Sequence, residues 1–222
     1  MDRECVDGWD GEENTRGMEL AQTYRIETER LSIRCYEPAD AELMHAAITG
    51  SIAHLRPWIP WARQEPRELD WMISFIRLFR GQFDLGQDAV YGIFNKTGTE
   101  QIGGTGLHNR IGKDAREIGY WINVKYVNKG YATEAVRALI KIGFGIEKLS
   151  RLEIRCDPEN VFSRRIPQRL GFRHEMTMRT NSTDGDGTPS DLMIWALNQR
   201  EYAGDEDIVL QAFDFMGRPL EI

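Results

Sequence analysis

A strongly periodic helix pattern between two strand patterns constrains the fold of this chain more than any other feature. From residue 132 to residue 144, small or apolar side chains recur at i, i+3, i+4, i+7 and i+8, the spacing of one helix face. The flanking segments at 115–124 and 151–156 are alternating or apolar, as strands are. Because a helical crossover returns the chain in the same direction, these two strands are predicted to pair in parallel.

The segments around this unit predict antiparallel strands. Residues 88–95 and 100–108 lead into the strand at 115–124 through turns that are typical of hairpins. Further elements are expected as strands at 31–36, 172–179 and 189–197, and as helices after Pro38 up to Gly50, from Pro66 to about Gln82, and from Asn160 to Gly171. The sequence therefore predicts a mixed sheet flanked by helices, in the α+β class.

The net charge of −7 is concentrated at the two ends of the chain. Residues 1–17 carry −4 and residues 203–222 carry −4, which leaves residues 18–202 close to neutral. The acidic first segment cannot bury enough apolar surface to offset its ordering entropy, so it is predicted to be a flexible tail. Residues 18–202 are predicted to form one domain, and residues 203–222 an extension that adds a strand or a dimer contact. A nearly neutral body argues against general nucleic-acid binding.

Composition also bears on the compartment of the protein. No stretch approaches the roughly 20 apolar residues of a membrane helix, and the first residues lack the apolar block of a secretion signal. The three cysteines lie far apart, without the Cys and His spacing of a zinc site. We therefore expect a cytoplasmic protein with free thiols, no membrane association and no bound metal.

The short loop before the periodic helix has the features of an anion site. Unpaired amides and the positive end of the helix dipole meet there, and Gly130 allows the close approach of a phosphate. Lys125 and Lys129 add positive charge. Taken alone, this pattern fits an ordinary strand-to-helix turn equally well, and it is neither a P-loop nor a dinucleotide fingerprint.

Three motifs in one order give the chain a family resemblance. They are Glu-Ile-Gly-Tyr-Trp-Ile at 117–122, Lys-Gly-Tyr-Ala-Thr-Glu-Ala at 129–135, and the run from Asn160 to Phe172 that contains Ser-Arg-Arg-Ile-Pro-Gln-Arg-Leu-Gly. Over about residues 26–200 the chain resembles the GNAT superfamily of N-acetyltransferases. The loop at 55–61 makes it similar to the RimJ/RimL-like branch, which contains ribosomal-protein N-terminal alanine and serine acetyltransferases. Val127 departs from the family pattern, in which Gln or Arg is commonest.

The resemblance implies a GNAT-like fold that binds acetyl-CoA as its co-substrate, without a metal. The sheet would be mostly antiparallel, with a cleft where the parallel strands at 115–124 and 151–156 splay apart. The main chain near Asn123 and Val124 would pair with the pantetheine arm like an added strand. The pyrophosphate would be held by the amides of Asn128, Lys129, Gly130, Tyr131, Ala132 and Thr133.

The helix that follows Asn160 is implied to flank the cofactor. The Asn160 side chain would lie near the pantetheine amides, and Arg164 or Arg165 would reach the nucleotide phosphates. Ser163 is the candidate proton donor for the departing thiolate, and its alternative role is to cap or solvate the helix start.

Acetyl transfer also needs a base, because an amine is mostly protonated at neutral pH. Glu117 is the candidate base, since its strand lies beside the expected thioester. The alternative is that Glu117 is a strand carboxylate paired with Arg116 or another basic side chain. The four histidines lack metal-like mutual spacing, and a role as the base is disfavoured for each of them, least so for His108 at a strand end.

The acceptor pocket is predicted to be aromatic. Trp58, Trp61, Trp71 and Phe75 are its candidate lining residues, although core packing explains Trp71 and Phe75 equally well. The predicted activity is N-acetylation of a primary amine, either a protein N-terminal residue or a small amine, by direct attack in a ternary complex. The alternative is a noncatalytic CoA-binding regulatory or scaffold module, and a homodimer is compatible with either.

Overall fold

A computed structural model describes residues 22–183 and 189–222, so the acidic tail predicted at 1–17 lies outside the described residues. The strands are β1 Arg25–Glu27, β2 Leu31–Cys35, β3 Ala89–Asn95, β4 Gln101–His108, β5 Ala115–Ile122, β6 Arg151–Cys156, β7 Arg173–Thr183, β8 Pro189–Asn198, β9 Gln211–Phe213 and β10 Pro219–Leu220. The helices are α1 Ala41–Thr49, α2 Ile52–Leu55, α3 Leu69–Asp84, α4 Tyr131–Gly145 and α5 Val161–Arg169.

These strands form one sheet in the order β10-β9-β1-β2-β3-β4-β5-β6-β8-β7. Every neighbouring pair is antiparallel except β5 and β6, which confirms the predicted mixed sheet with one parallel pair. The parallel register joins Ala115 to Arg151, Arg116 to Leu152 and Glu117 to Glu153, and the described pairing ends there. A gap therefore opens between β5 and β6 towards their carboxyl ends.

Helix α4 covers one face of the sheet and forms the centre of the main core. Its apolar face is fully buried at Ala135, Val136 and Leu139, as the helical spacing predicts. Gly143 lies close to the Leu149 and Leu152 side chains, so a Cβ there would lie 3.3 Å from their methyl groups. Burial of this face fixes the helix, and hence its first turn, against β5 and β6.

The opposite face of the sheet is covered by α1 and α3, which pack on a second apolar cluster that includes Tyr36, Met44, Ile76 and Phe94. Helix α3 begins at Leu69, three residues after the predicted start at Pro66. The Glu65 carboxylate accepts the backbone N–H of Arg67 at 2.8 Å, which stabilises a turn before the helix.

The C-terminal extension continues the sheet beyond β1. Strand β9 pairs with β1, and β10 pairs with β9 at the edge. The Arg137 guanidinium of α4 forms an ion pair with Asp205, which ties this extension to the helix. Within the described ranges, none of the helices combines the length and hydropathy of a bilayer span.

Candidate active site

The gap between β5 and β6 leads into a cleft of about 590 Å³. Its walls come from the ends of β5 and β6, the loop before α4, the exposed face of α5 and the loop after α2. The splayed parallel pair therefore brings together four segments that are distant in the sequence. This is the cleft that the sequence places between residues 115–124 and 151–156.

The amides expected to bind pantetheine are engaged elsewhere. The N–H of Asn123 donates to the carbonyl of Ile102 on β4 at 2.8 Å, and the N–H of Val124 donates to Ser51 Oγ at 3.0 Å. The Asn123 side chain is buried and also contacts Ser51. Neither N–H is free to pair with an added strand in this structure, and the assignment of the pantetheine arm to the main chain near Asn123 and Val124 stays a prediction.

The main-chain groups that face the gap lie slightly upstream. Main-chain polar groups alternate between the two edges of a strand, and those of Asn123 face β4. The groups of Tyr120 and Ile122 consequently face the gap, where β6 has already diverged, and both residues line the cleft. Strand alternation is the signal that could have found them once the orientation of one residue was known.

The loop before α4 presents its amides to the cleft. Gly130 adopts φ 81° and ψ 0° as the residue before the helix, and Asn128 adopts φ 60°, so two left-handed residues reverse the chain within three positions. The first amides of α4, on Tyr131, Ala132 and Thr133, have no partner inside the helix. These three residues line the cleft together with Asn128 and Gly130. The arrangement suits a bound diphosphate.

Arg30, in the turn between β1 and β2, holds this loop in place. Its guanidinium donates to the carbonyl of Lys129 at 2.9 Å and to Glu134 at 2.6 Å, and it lies over the Tyr131 ring at 4.5 Å. Thr28 also donates to Glu134 at 2.6 Å. The acidic side chain in the first turn of α4 is therefore neutralised, which favours an anion there. Sequence reasoning missed Arg30, because about 100 residues separate it from the loop.

Helix α5 carries the predicted polar side chains of the other wall. The Asn160 side chain caps the helix by accepting the N–H of Ser163 at 3.1 Å. The capping side chain is therefore that of Asn160, and Ser163 contributes only its backbone N–H. Arg165 lines the cleft, whereas Arg164 donates to the carbonyl of Pro158 at 3.3 Å. Of the two arginines, Arg165 is the one placed to reach a phosphate.

Ser163 and Tyr120 form a hydroxyl pair inside the cleft. The two side-chain oxygens lie 3.0 Å apart, and the Tyr120 hydroxyl also donates to the Ser163 carbonyl at 3.1 Å. Burial raises the pKa of the Tyr120 phenol, so it remains a proton donor at neutral pH. Burial likewise raises the pKa of the nearby Cys156 thiol to about 11, which keeps it protonated. The pair can donate a proton to a leaving group in the cleft.

Glu117 is held by two guanidinium groups. Its carboxylate lies 3.5 Å from Arg110 and 3.6 Å from Arg155, and its side chain is 14% exposed. This is the ion-paired arrangement given above as the alternative, although Arg116 is not its partner, since Arg116 faces Glu147 at 4.0 Å. The role of Glu117 as a base stays a prediction.

Of the four aromatic residues predicted to line the acceptor pocket, two lie at the cleft and two lie outside it. Trp58 lines the cleft, and Trp61 packs edge-on against the lining residue Trp121 with ring centroids 6.1 Å apart. Trp58 and Trp61 are 37% and 40% exposed, so the mouth of the cleft is open to solvent. Trp71 and Phe75 stack on each other along α3, at 4.7 Å between centroids, outside the cleft wall.

Known proteins share this architecture. A family model described as "Acetyltransferase (GNAT) domain" matches residues 30–173. YdaF of Bacillus subtilis (strain 168), which has the provisional name of a ribosomal N-acetyltransferase, is 31% identical over 80% of this chain and 96% of its own length. The [ribosomal protein uS5]-alanine N-acetyltransferase of Escherichia coli (strain K12) is 29% identical over 68% of this chain and 79% of its own.

A solved structure agrees with these sequence matches. The crystal structure of a GNAT-family acetyltransferase from Bacillus anthracis superimposes with a TM-score of 0.68 at 29% identity, covering 80% of this chain and 99% of that one. In the described part of the chain, no group of three or more His, Cys, Asp or Glu side chains is arranged to hold a metal ion.

Proposed function

This chain belongs to the GNAT acetyltransferase family, and from that premise we propose that its acceptor is the N-terminal amine of a protein chain. GNAT acetyltransferases transfer an acetyl group from acetyl-CoA to an amine, so the chain is an acetyl-CoA-dependent N-acetyltransferase. The identity of the amine and the roles of individual residues are the proposed parts.

We propose that the main chain holds the cofactor. We assign the diphosphate to the amides between Asn128 and Thr133, and we assign the pantetheine arm to the gap edge of β5 at Tyr120 and Ile122. Arg165 is the side chain that would meet the nucleotide phosphates. The free amides and positive dipole of α4 support the first assignment, and the unpaired edge of β5 supports the second.

Catalysis requires a positioned amine and a proton for the departing thiolate. Ser163 is assigned as that proton donor, with Tyr120 as the hydroxyl that hydrogen bonds to it. Their 3.0 Å contact inside the cleft supports this assignment. Acetyl-CoA supplies the thioester, and the protein holds it beside the acceptor.

The open aromatic mouth of the cleft carries the proposal about the acceptor. Half-exposed Trp58 and Trp61 border the entrance, which leaves room for a polypeptide to extend away from its reacting end. An enclosed pocket would be expected for a small amine that is bound on all sides. The names of the relatives from Bacillus subtilis and Escherichia coli point to the same acceptor class.

Mass spectrometry of acetylated products tests this proposal. Purified protein is mixed with acetyl-CoA and with short peptides that begin with a free alanine or serine and contain one lysine. We expect a single acetyl group on the N-terminal nitrogen. A peptide whose N-terminus is already blocked serves as the control and should stay unmodified. Acetylation of spermidine or other small amines, with the peptides untouched, would contradict the proposal.

The alternative interpretation as a noncatalytic CoA-binding module is not retained, since the chain belongs to a family of enzymes. Release of CoA that depends on the acceptor would show turnover directly. A homodimer remains a separate expectation, and sedimentation of the purified chain would test it.

A further inference from the structure

His108 and Asp88 form a hydrogen-bonded pair at the ends of two adjacent strands. The Nδ1 atom of His108 lies 2.9 Å from one carboxylate oxygen of Asp88, and the other oxygen accepts the N–H of Asn109 at 3.1 Å. Burial opposes ionisation of Asp88, but the hydrogen bond and charge of His108 outweigh it and lower the pKa of Asp88. When the ring is neutral, this pairing favours the tautomer that has its proton on Nδ1, and the Nε2 lone pair then faces away from Asp88.

Two glycines make room for the imidazole ring. Gly106 and Gly119 face each other across β4 and β5. A Cβ built on Gly106 would lie 2.8 Å from His108 Nε2, and one built on Gly119 would lie 2.9 Å from the same atom. Because neighbouring Ile118 points into the core beneath α4, Gly119 faces the opposite side of the sheet. The ring is thus held over the middle of β5 on the side away from α4.

His108 does not itself line the cleft, but the strand that its ring covers continues into the cleft wall at Trp121. Trp121 shares the face of Gly119 and lines the cleft, and positions two residues apart on a strand are about 7 Å apart. Trp61, at the mouth, packs on Trp121. Among the described residues, Nε2 has no hydrogen-bond partner, and the His108 side chain is 14% exposed. The His108 side chain is therefore partly accessible, about two residues along β5 from the cleft-lining Trp121.

The charged groups around the ring distinguish it from Glu117. His108 is opposite Glu117 in the register of β4 and β5. Arg110 lies 3.5 Å from the Glu117 carboxylate, and its positive charge also lowers the pKa of Asp88. Glu117 is engaged by Arg110 and by Arg155. Of the two candidate bases on this face, His108 is the one whose lone pair is not engaged by a guanidinium.

We propose that His108 is the catalytic base of acetyl transfer and that Asp88 is its positioning residue. The inference rests on the N-acetyltransferase activity and holds for whichever amine the protein accepts. Histidine suits this role because its ordinary pKa lies near neutral pH, where a base is most effective.

The proposed step conserves atoms and charge. The amine nitrogen forms a bond to the thioester carbonyl carbon, and the carbon–sulfur bond breaks. The proton lost by the nitrogen moves to His108 Nε2, directly or through one water molecule. The thiolate takes a proton from Ser163, which recovers one from solvent, and His108 returns its proton to solvent. The products are the amide and CoA.

Substitution of His108 tests the proposal on any amine that the wild-type protein acetylates. His108→Gln should lower kcat about 10²-fold and remove the acidic limb of the pH–rate profile, while acetyl-CoA affinity by calorimetry changes less than about twofold. His174→Gln, at an exposed histidine of β7, is the matched control and should retain the wild-type profile. A His108→Gln variant with more than half of the wild-type kcat and an intact acidic limb would overturn the proposal.

Asp88→Asn tests the positioning role of Asp88 through the pH–rate profile, which would not shift if Asp88 had only a structural role. Removal of the negative charge should make the imidazole less basic, so the acidic limb should shift to lower pH while kcat falls. If His108→Gln fails to fold, Asp88→Asn and Gly119→Ala test the same idea, since a methyl group on Gly119 would displace the ring. Unchanged pH profiles in both would overturn the role of the pair.

The experiment separates this inference from the proposed acceptor class. If only small amines are acetylated, the proposal about protein N-termini fails, and the His108 variants are then compared on those amines. If peptides are acetylated and His108→Gln behaves like His174→Gln, the inference about the base fails alone. Glu117→Gln is included in the series, and a loss of the acidic limb in that variant only would assign the base to Glu117 instead.

Discussion

At the scale of single residues, the cleft combines groups that its protein environment keeps protonated. Burial raises the pKa values of Tyr120 and Cys156, so both remain neutral donors beside Ser163. The pKa of Asp88, by contrast, is lowered despite its burial, because His108, the N–H of Asn109 and the charge of Arg110 favour the carboxylate. In the proposed mechanism, Ser163 and Tyr120 serve the departing thiolate and His108 serves the acceptor amine.

Ser163→Ala should lower kcat about 10-fold, with acetyl-CoA affinity nearly unchanged. The effect is expected to be moderate, because a thiol has an ordinary pKa near 8.5 and its thiolate leaves without much assistance. Steady-state CoA release at saturating acetyl-CoA is the measurement. Ser74→Ala, which removes an exposed hydroxyl from α3, is the control. A wild-type kcat for Ser163→Ala would remove this hydroxyl from the mechanism.

At the scale of elements, the start of α4 links the core to the cleft. Burial of the helix face sets the position of the helix axis, and the left-handed Gly130 then turns the preceding amides towards the cleft. Little surrounds Gly130, since a Cβ there would lie 3.5 Å from Arg30. Backbone conformation, and not packing, is therefore the reason for a glycine at this position.

Gly130→Asp should weaken acetyl-CoA binding at least 10-fold, because it adds bulk and a negative charge where the diphosphate would lie. Isothermal titration calorimetry measures the effect. Gly98→Asp is a matched control: Gly98 has a similar φ of 69°, with nothing near its Cβ position, and lies in the β3–β4 turn. Both variants should lose similar stability, but only the first should lose affinity. Equal affinities would contradict the phosphate-loop assignment.

At the scale of the whole molecule, one buried carboxyl group makes stability depend on pH. Burial raises the pKa of Glu147 to about 7, against the opposing charge of Arg116 at 4.0 Å. The folded state therefore binds more protons at this site than the unfolded chain does, between the ordinary pKa near 4.3 and about 7. The free energy of unfolding should fall as pH rises through this interval, by at most about 4 kcal/mol.

Glu147→Gln should remove this contribution and make the protein more stable than wild type at pH 8. Arg116 keeps its hydrogen bonds to the carbonyls of Lys113 and Ala115, so the loss of the carboxylate does not leave it without partners. Urea unfolding at pH values from 5 to 8 measures the difference. Glu206→Gln, at an exposed position, is the control. A difference between wild type and Glu147→Gln that is constant over this pH range would contradict the assignment.

Local patterns in the sequence predicted the elements and the cleft. The spacing of apolar residues in α4 predicted the helix, and the crossover geometry predicted the parallel pairing of β5 with β6. The loop with Gly130 connects β5 to the start of α4, as the sequence predicts. These features depend on neighbours within a few residues, or on the direction of the chain, and both can be read from one sequence.

The tertiary structure alone decided which groups face the cleft. The orientation of β5 depends on its hydrogen bonds to β4, so Tyr120 and Ile122, rather than Asn123 and Val124, face the gap. The hydrogen bond from Arg30 to the carbonyl of Lys129 joins residues 99 positions apart in the chain, and the one between His108 and Asp88 joins residues 20 positions apart. Such contacts depend on strand order and register, because only the folded sheet brings these side chains within hydrogen-bond distance.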